Sequence, residues 1–402
     1  MKFKRRTRKI LYGAVLALSL LWLLAFLTNK LRWPFLDFIA PANRPAHVIS
    51  SATPVETSVF FSNEAGADNV SQVIVRELDK ASKTIEIAMY SFKSVAIKEA
   101  VYRASQRGVK VTLIMDWRKK AEHDLFFSDR PLNLTRLDIG NANGAGSTAL
   151  MHHKFALIDR GRPEQKLIFG SFNWTQLQEK YDRSFFLVTS NEELIKSFGR
   201  EFERLISGQS GPKKLKKQKY QPWDLTLTAA GRNYEVWFGP GRLNGNINYR
   251  ILELLRTAKT EIDIMVWDFT DRSLAEEIVR QAQSGLKIKI IADSLNFYDQ
   301  SSVFNYLTEM KAKFGLSNLE ILINGTPGNK GAEVIDPFLH YHLVLIDGKN
   351  ILVGTNNWSR GGAFFNDESA LVTDDQQILE AFKQSFQYNY QQGRAAPPFV
   401  HH

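Results

Sequence analysis

No cysteine occurs among the 402 residues. Its absence excludes a disulfide framework, a thiolate zinc site and a thiol nucleophile, and is compatible with an oxidising or a reducing compartment. Acids are missing from residues 2–9, where Lys2, Lys4, Arg5, Arg6, Arg8 and Lys9 stand together. Charge of either sign is missing from Ile10–Leu27, a run of 18 residues, long enough to span a bilayer. A cleaved signal peptide is the competing reading. The one small-x-small site nearby, Ala40-Pro41-Ala42, lies some 15 residues past the run. The expectation is an uncleaved signal anchor in a single-pass membrane protein. Six cations outweigh Lys30 and Arg32, which keeps the N-terminus cytoplasmic. The body then lies outside the cytoplasm, on the periplasmic side if the source is bacterial, with Trp33, Phe35 and Phe38 as interfacial anchors.

A basic body is also lacking. The net charge is +10, yet the six N-terminal cations and five more at Lys213, Lys214, Lys216, Lys217 and Lys219 make eleven, which leaves −1 for everything else. A dedicated nucleic-acid protein often spreads its positive charge over the binding face. Here it is gathered in a tail and in a junction, Ser207–Trp223, that reads as a solvated loop, with contact to anionic headgroups or to a nucleic-acid backbone as the alternatives.

What is present is a motif, and it is present twice. The first copy is Met151–Thr175, MHHKFALIDRGRPEQKLIFGSFNWT, with His152, Lys154 and Asp159 spaced H-x-K-x-x-x-x-D. It reads as two strands, Phe155–Ile158 and Leu167–Phe169, around a polar turn. On a strand, residues i and i+2 share a face, so His152 and Lys154 point one way and His153 the other. Asp159 has the other parity and supports the site from behind. An imidazole and an ammonium on one face suit phosphate chemistry: the first attacks phosphorus or moves a proton, and the second holds non-bridging oxygens. Ser171 and Asn173 add neutral donors. The second copy is Leu339–Ser359, LHYHLVLIDGKNILVGTNNWS. In it His340, Asp347, Thr355 and Asn357 match His152, Asp159, Ser171 and Asn173, but His342 replaces the lysine.

The surrounding chain repeats as well. A short strand at Val59–Phe61 is followed by helix Val70–Ser82, strand Ile85–Met89, helix Ser94–Arg107 and a strand from Val109 that ends at Asp116. Phe92, Gly108 and Asp116 return 177 positions later as Phe269, Gly285 and Asp293. The offset is 188 at the histidines and 184 at the asparagines. A register broken only by small loop insertions is the mark of a tandem duplication. Strands alternating with helices argue for α/β halves. Each motif follows a loose loop, Asp138–Ser147 or Asn324–Pro337, suited to the rim of a cleft.

The doubled motif resembles the phospholipase D superfamily, the HKD phosphodiesterases, over roughly residues 56–392. The resemblance implies two α/β sandwich halves fused as a pseudo-dimer, one shared active site and no metal or cofactor. It implies His152 as nucleophile and His340 as general acid/base. Lys154, Asn173 and Asn357 would hold the phosphoryl oxygens, with Ser171 and Thr355 in support, and both aspartates count with the catalytic set. Relatives carry a carboxylate about a dozen residues after the asparagine to orient a histidine. Glu368 fills that place in the second half. Ser184 stands there in the first, with Asp182 two residues earlier as the substitute. Three readings of His342 remain: an imidazole donor in the lysine's role, reliance on Lys154 alone, or a degenerate binding module. His152, His340 and His342 would also make a zinc set, but Lys154 beside them opposes a cation.

The expected organisation is a tail and signal-anchor over 1–38 and a linker over 39–57. A first domain follows at 58–210, a basic linker at 211–233 and a second domain at 234–393. The expected activity is hydrolysis of phospholipid phosphodiesters through a phosphohistidine, by a monomer with an internal pseudo-two-fold axis, at a phospholipid membrane. Cleavage of nucleic acid and phosphatidyl transfer are the alternatives.

Overall fold

The computed structural model describes residues 56–64, 69–128, 134–140, 149–211, 223–229, 232–325 and 338–397. The tail, the signal-anchor run, nearly all of the first linker, the lysine cluster and most of both loose loops lie outside the described residues. Among the described residues no helix is long and apolar enough to cross a membrane.

Among the described residues the first half contributes ten strands. They are β1 (Thr57–Phe61), β2 (Thr84–Met89), β3 (Phe92–Lys93), β4 (Lys110–Asp116), β5 (Leu134–Ile139), β6 (Lys154–Ile158), β7 (Lys166–Gly170), β8 (Trp174–Thr175), β9 (Asp182–Arg183) and β10 (Phe185–Thr189). The second half contributes β11 (Trp223–Ala229), β12 (Arg232–Phe238), β13 (Glu261–Val266), β14 (Lys287–Asp293), β15 (Leu319–Asn324), β16 (Phe338–Leu339), β17 (His342–Ile346), β18 (Asn350–Gly354), β19 (Ser369–Thr373) and β20 (Arg394–Ala395). One sheet runs β1-β10-β7-β6-β2-β4-β5. The other runs β11-β12-β19-β18-β17-β13-β14-β15-β20. Seven strands of the second sheet repeat the order of the first, as the duplicated sequence requires. The fold is α/β with two like halves.

The extra strand β11 falls inside the stretch read as the 211–233 linker. It pairs antiparallel with β12, so the second sheet begins at Trp223. The alternation W-D-L-T-L-T-A is a period-two strand signal that the neighbouring lysine cluster overshadowed.

Both faces of each sheet are covered, which explains why the central strands are apolar along most of their length. In β6, Phe155 and Leu157 face the core between the halves. Ala156 and Ile158 face the outer core of the first half. That middle core takes Phe198 and Phe202 from helix Glu192–Ile206, Phe382 and Phe386 from helix Gln376–Gln392, and Leu343 and Leu345 from β17. The duplication is therefore joined by burial, the largest favourable term in folding.

The helices start where side chains cap them. Ser94 accepts from the Ile97 N–H and Asn191 from Glu193 and Leu194, satisfying donors that the first turn leaves orphaned. Gly170 and Gly354 are required by close approach. A Cβ at either would meet the carbonyl oxygen of Phe185 at 2.2 Å or of Ser369 at 2.3 Å.

Candidate active site

The strands β6 and β17 carry the two histidines to one place because each is held by the other half. Met151 bridges Asp367 in parallel, and the His152 N–H donates to the Asp367 carbonyl at 2.9 Å. In the mirror arrangement β16 pairs in parallel with β9, and the His340 N–H donates to the Arg183 carbonyl at 2.9 Å. Two aspartates brace these entries. Asp116 accepts from the Met151 N–H at 2.7 Å, and Asp293 from the Leu339 N–H at 2.9 Å. Burial raises both carboxyls to about 6. The sequence marks these aspartates as ends of repeated strands and says nothing of the brace.

Since Asp367 precedes Glu368, the cross-half pairing delivers Glu368 to the histidine of the other half. His152 Nδ1 lies 2.9 Å from both carboxylate oxygens. Glu368 also accepts from Thr355 Oγ1 at 2.6 Å and Asn366 Nδ2 at 3.0 Å. An ionised carboxylate only accepts, so the hydrogen sits on Nδ1 and the Nε2 of His152 is bare. Burial works against both charged partners: it lowers His152 well below the usual histidine value and lifts Glu368 to about 7.

By the same logic the pairing delivers Ser184 to His340. Its Oγ lies 3.5 Å from His340 Nδ1, and Gln178 Nε2 lies 3.4 Å from the same nitrogen. Asp182, expected as the substitute carboxylate, bonds the Gln178 side chain instead, and burial raises it to about 7. It sits one amide away from the imidazole.

Lys154 is buried with its ammonium donating to the His152 carbonyl at 2.8 Å and lying 5.4 Å from the Tyr90 ring. Burial lowers it to about 7, against the pull of Glu368 and Asp116. The His342 and His340 rings are 5.5 Å apart. Both nitrogens of His342 are buried without a hydrogen-bond partner among the described residues, as are Asn173 Oδ1 and Asn357 Oδ1. Burial, reinforced by the neighbouring cation Lys154, holds His340 and His342 well below the ordinary histidine value. Unsatisfied buried polar atoms are costly, and these four belong to residues of the two motif copies. Rotation of either amide exchanges its oxygen and nitrogen, so each can present N–H groups to an anionic ligand.

Four expected site residues take other duties. Asp159 and Asp347 stand at the far ends of β6 and β17 in left-handed conformation, φ 49° and 53°. Asp159 accepts from the Ser82, Lys83 and Thr84 N–H groups and from Ser82 Oγ at 2.6–3.0 Å. Asp347 does the same for Lys259, Thr260 and Glu261. They tie a turn and touch no reacting group, because a five-residue strand separates them from the histidines. Ser171 Oγ accepts from the Phe185 N–H at 3.1 Å, and Thr355 Oγ1 is committed to Glu368. Both hydroxyls are engaged with protein groups.

Three residues beside the histidines lie outside the doubled motif. Tyr90 and Trp267 stand edge-on to His152 and His340, with ring centroids at 4.9 and 5.5 Å. They are 177 positions apart, so the repeat offset was the signal that marks them. Gln178 has no counterpart signal. Among the described residues no group of three or more His, Cys, Asp or Glu is arranged to hold a metal ion.

The family model described as "Cardiolipin synthase, PLD-like domain" matches residues 74–206 and 251–390, one segment in each half. The chain is 28% identical over 225 residues to the mitochondrial cardiolipin hydrolase of Danio rerio, covering 54% of this chain and 94% of that protein. It spans about half, 48% and 49%, of the dog and human proteins of the same name. It is 27% identical to a phospholipase D of Rickettsia felis, over 43% of this chain and 80% of that one. The phosphatidylserine synthase of Haemophilus influenzae shares the fold, with a TM-score of 0.61 at 16% identity over 85% of this chain and 88% of that one.

Proposed function

The chain belongs to the "Cardiolipin synthase, PLD-like domain" family of phospholipase D-like phosphodiesterases, and on that footing we propose that it hydrolyses phospholipid phosphodiesters through a phosphohistidine on His152. The observation that carries this reading is the pair of 2.9 Å contacts from His152 Nδ1 to Glu368. They put the ring hydrogen on Nδ1 and leave Nε2 to act as nucleophile, with Lys154, His340 and His342 near enough to interact electrostatically.

Nε2 attacks phosphorus and the P–O bond to the leaving alcohol breaks. His340 supplies the proton that the leaving oxygen needs. Water then attacks the phosphohistidine, His340 takes its proton, and the P–N bond breaks. Lys154, Asn173 and Asn357 meet the non-bridging oxygens, where charge grows in the transition state. His342 adds an imidazole N–H on the side where the first copy has its ammonium. A bound diester anion favours protonation of Lys154 and the imidazoles, which burial alone disfavours. The names of the relatives favour a lipid. So does the uncharged run Ile10–Leu27, which would hold the body at a bilayer with the N-terminus on the cytoplasmic side.

The test uses the full chain in detergent micelles, with His152→Ala beside it and EDTA present. Mixed phospholipids and labelled single- and double-stranded nucleic acid are offered separately. His152-dependent release of phosphatidic acid, with an acid-labile label on the wild-type protein, supports the proposal. His152-dependent nicking in place of lipid cleavage sinks it.

A further inference from the structure

We infer that Gln178 is a positioning residue that sets the tautomer of His340, holding the second histidine with its hydrogen on Nε2 where Glu368 holds the first with its hydrogen on Nδ1. The inference rests on the histidine chemistry proposed above, and it concerns a residue with no counterpart in the repeated motif.

The amide of Gln178 cannot turn freely. Its Oε1 accepts from the Asn173 N–H at 2.6 Å, so Nε2 is the atom that faces His340 Nδ1 at 3.4 Å. The other hydrogen of that nitrogen serves Asp182. The helix Gln176–Tyr181 is itself pinned, since Thr175 Oγ1 accepts from the Gln178 N–H at 3.1 Å. An amide nitrogen only donates. His340 Nδ1 must therefore accept, and the single hydrogen of the neutral ring sits on Nε2. Besides Gln178 and Asp182, the groups facing the ring are Ser184, the Ser171 backbone carbonyl, which accepts from the imidazole, His152, His342, Lys154 and the edge of Trp267. None of these is a carboxylate.

This tautomer is a resting one. To serve the leaving oxygen the ring must carry a second hydrogen, on Nδ1, and that hydrogen needs an acceptor. Ser184 Oγ, at 3.5 Å, can turn to accept it, while the Gln178 N–H must yield. With Nδ1–H on Ser184, the ring gives its Nε2 hydrogen to the leaving oxygen, becomes neutral with Nε2 bare, and recovers a hydrogen from the attacking water. Gln178 therefore grips the idle ring and Ser184 the working one. A glutamate at 178 would keep an oxygen for the Asn173 N–H and supply the acceptor that Glu368 supplies to His152.

The test reads the ring directly. Long-range proton–nitrogen correlation spectra of histidine-labelled full chain in micelles, with His340→Asn for assignment, report which nitrogen is protonated at pH 7.5. The expected result is Nε2–H in the wild type and Nδ1–H in Gln178→Glu. In Gln178→Glu the His340 pKa rises by at least about one unit, and kcat on a soluble aryl phosphodiester rises about tenfold with KM little changed. Because Asp182 adjoins the new carboxylate, Gln178→Glu/Asp182→Asn is measured beside it. Nδ1–H in the wild type, or an unmoved His340 in both variants, overturns the inference and reduces Gln178 to a support for Asn173. The spectra decide this whether or not lipid is the substrate.

Discussion

The two copies of the motif share their scaffold and differ in their chemistry. In both, an aspartate at the far end of the strand ties a turn, a glycine admits the neighbouring strand, and a tryptophan or tyrosine edge flanks the histidine. Around the reacting nitrogens the likeness ends. His152 has a carboxylate behind it and a lysine two residues on. His340 has an amide and a hydroxyl behind it and an imidazole two residues on. Counted along the sequence, each half departs once from its family. Counted in space, both departures fall on His340, because the carboxylate position of each half serves the histidine of the other. A duplicated site can thus keep one histidine fully equipped while the other drifts, since nucleophile and proton carrier need different partners.

Breaking the better-equipped side has the largest expected effect. His152→Ala should lower kcat by at least about 10⁴-fold while the circular dichroism spectrum is unchanged, as when a nucleophile is removed elsewhere. Glu368→Gln should cost on the order of 10³–10⁴ in kcat, because the wrong tautomer is then held. Ser184→Ala, its spatial counterpart, should cost about tenfold or less. Equal losses in the two would erase the asymmetry drawn above. His342→Lys restores the missing ammonium, and a gain of about 10-fold or more in kcat/KM is expected, bounded by the 10²–10³ that one such contact contributes. No gain would mean that the imidazole already does the work.

The pH profile of kcat/KM sharpens the same comparison. Glu368 is raised to about 7, so the carboxylate that orients His152 is gained only as pH rises through that value. Lys154 is lowered to about 7, so its ammonium is lost as pH rises through the same range. A narrow bell centred near pH 7 follows. Lys154→Arg keeps its charge at high pH and should push the alkaline limb upward, whereas Glu368→Gln should remove the acid limb. The smallest difference is expected at the structural aspartates. Asp159→Ala and Asp347→Ala should each lower stability by about 1–3 kcal/mol in denaturant titration, by similar amounts, because each leaves backbone N–H groups unpaired.

Much of this was legible before any fold was seen. The strands around His152 and His340, the Ser94 cap and the α/β alternation are local or periodic features, and they formed where the pattern put them. The duplication predicted like halves, and the strand orders repeat. Strand parity already put Asp159 behind the site, but the partners of Asp159, Asp347, Ser171 and Thr355 were not legible, because a residue's neighbourhood in a motif does not say which atom its side chain reaches.

The sequence by itself determined the chemistry on offer: three imidazoles, one ammonium, two asparagines and one carboxylate at the family's spacing, with no thiol to compete. Only the tertiary structure decided who serves whom. Parallel pairing of Met151 with Asp367 and of Leu339 with Arg183 joins residues more than 150 positions apart. Such contacts depend on the burial of one apolar core between the halves, and no periodicity in the chain encodes them.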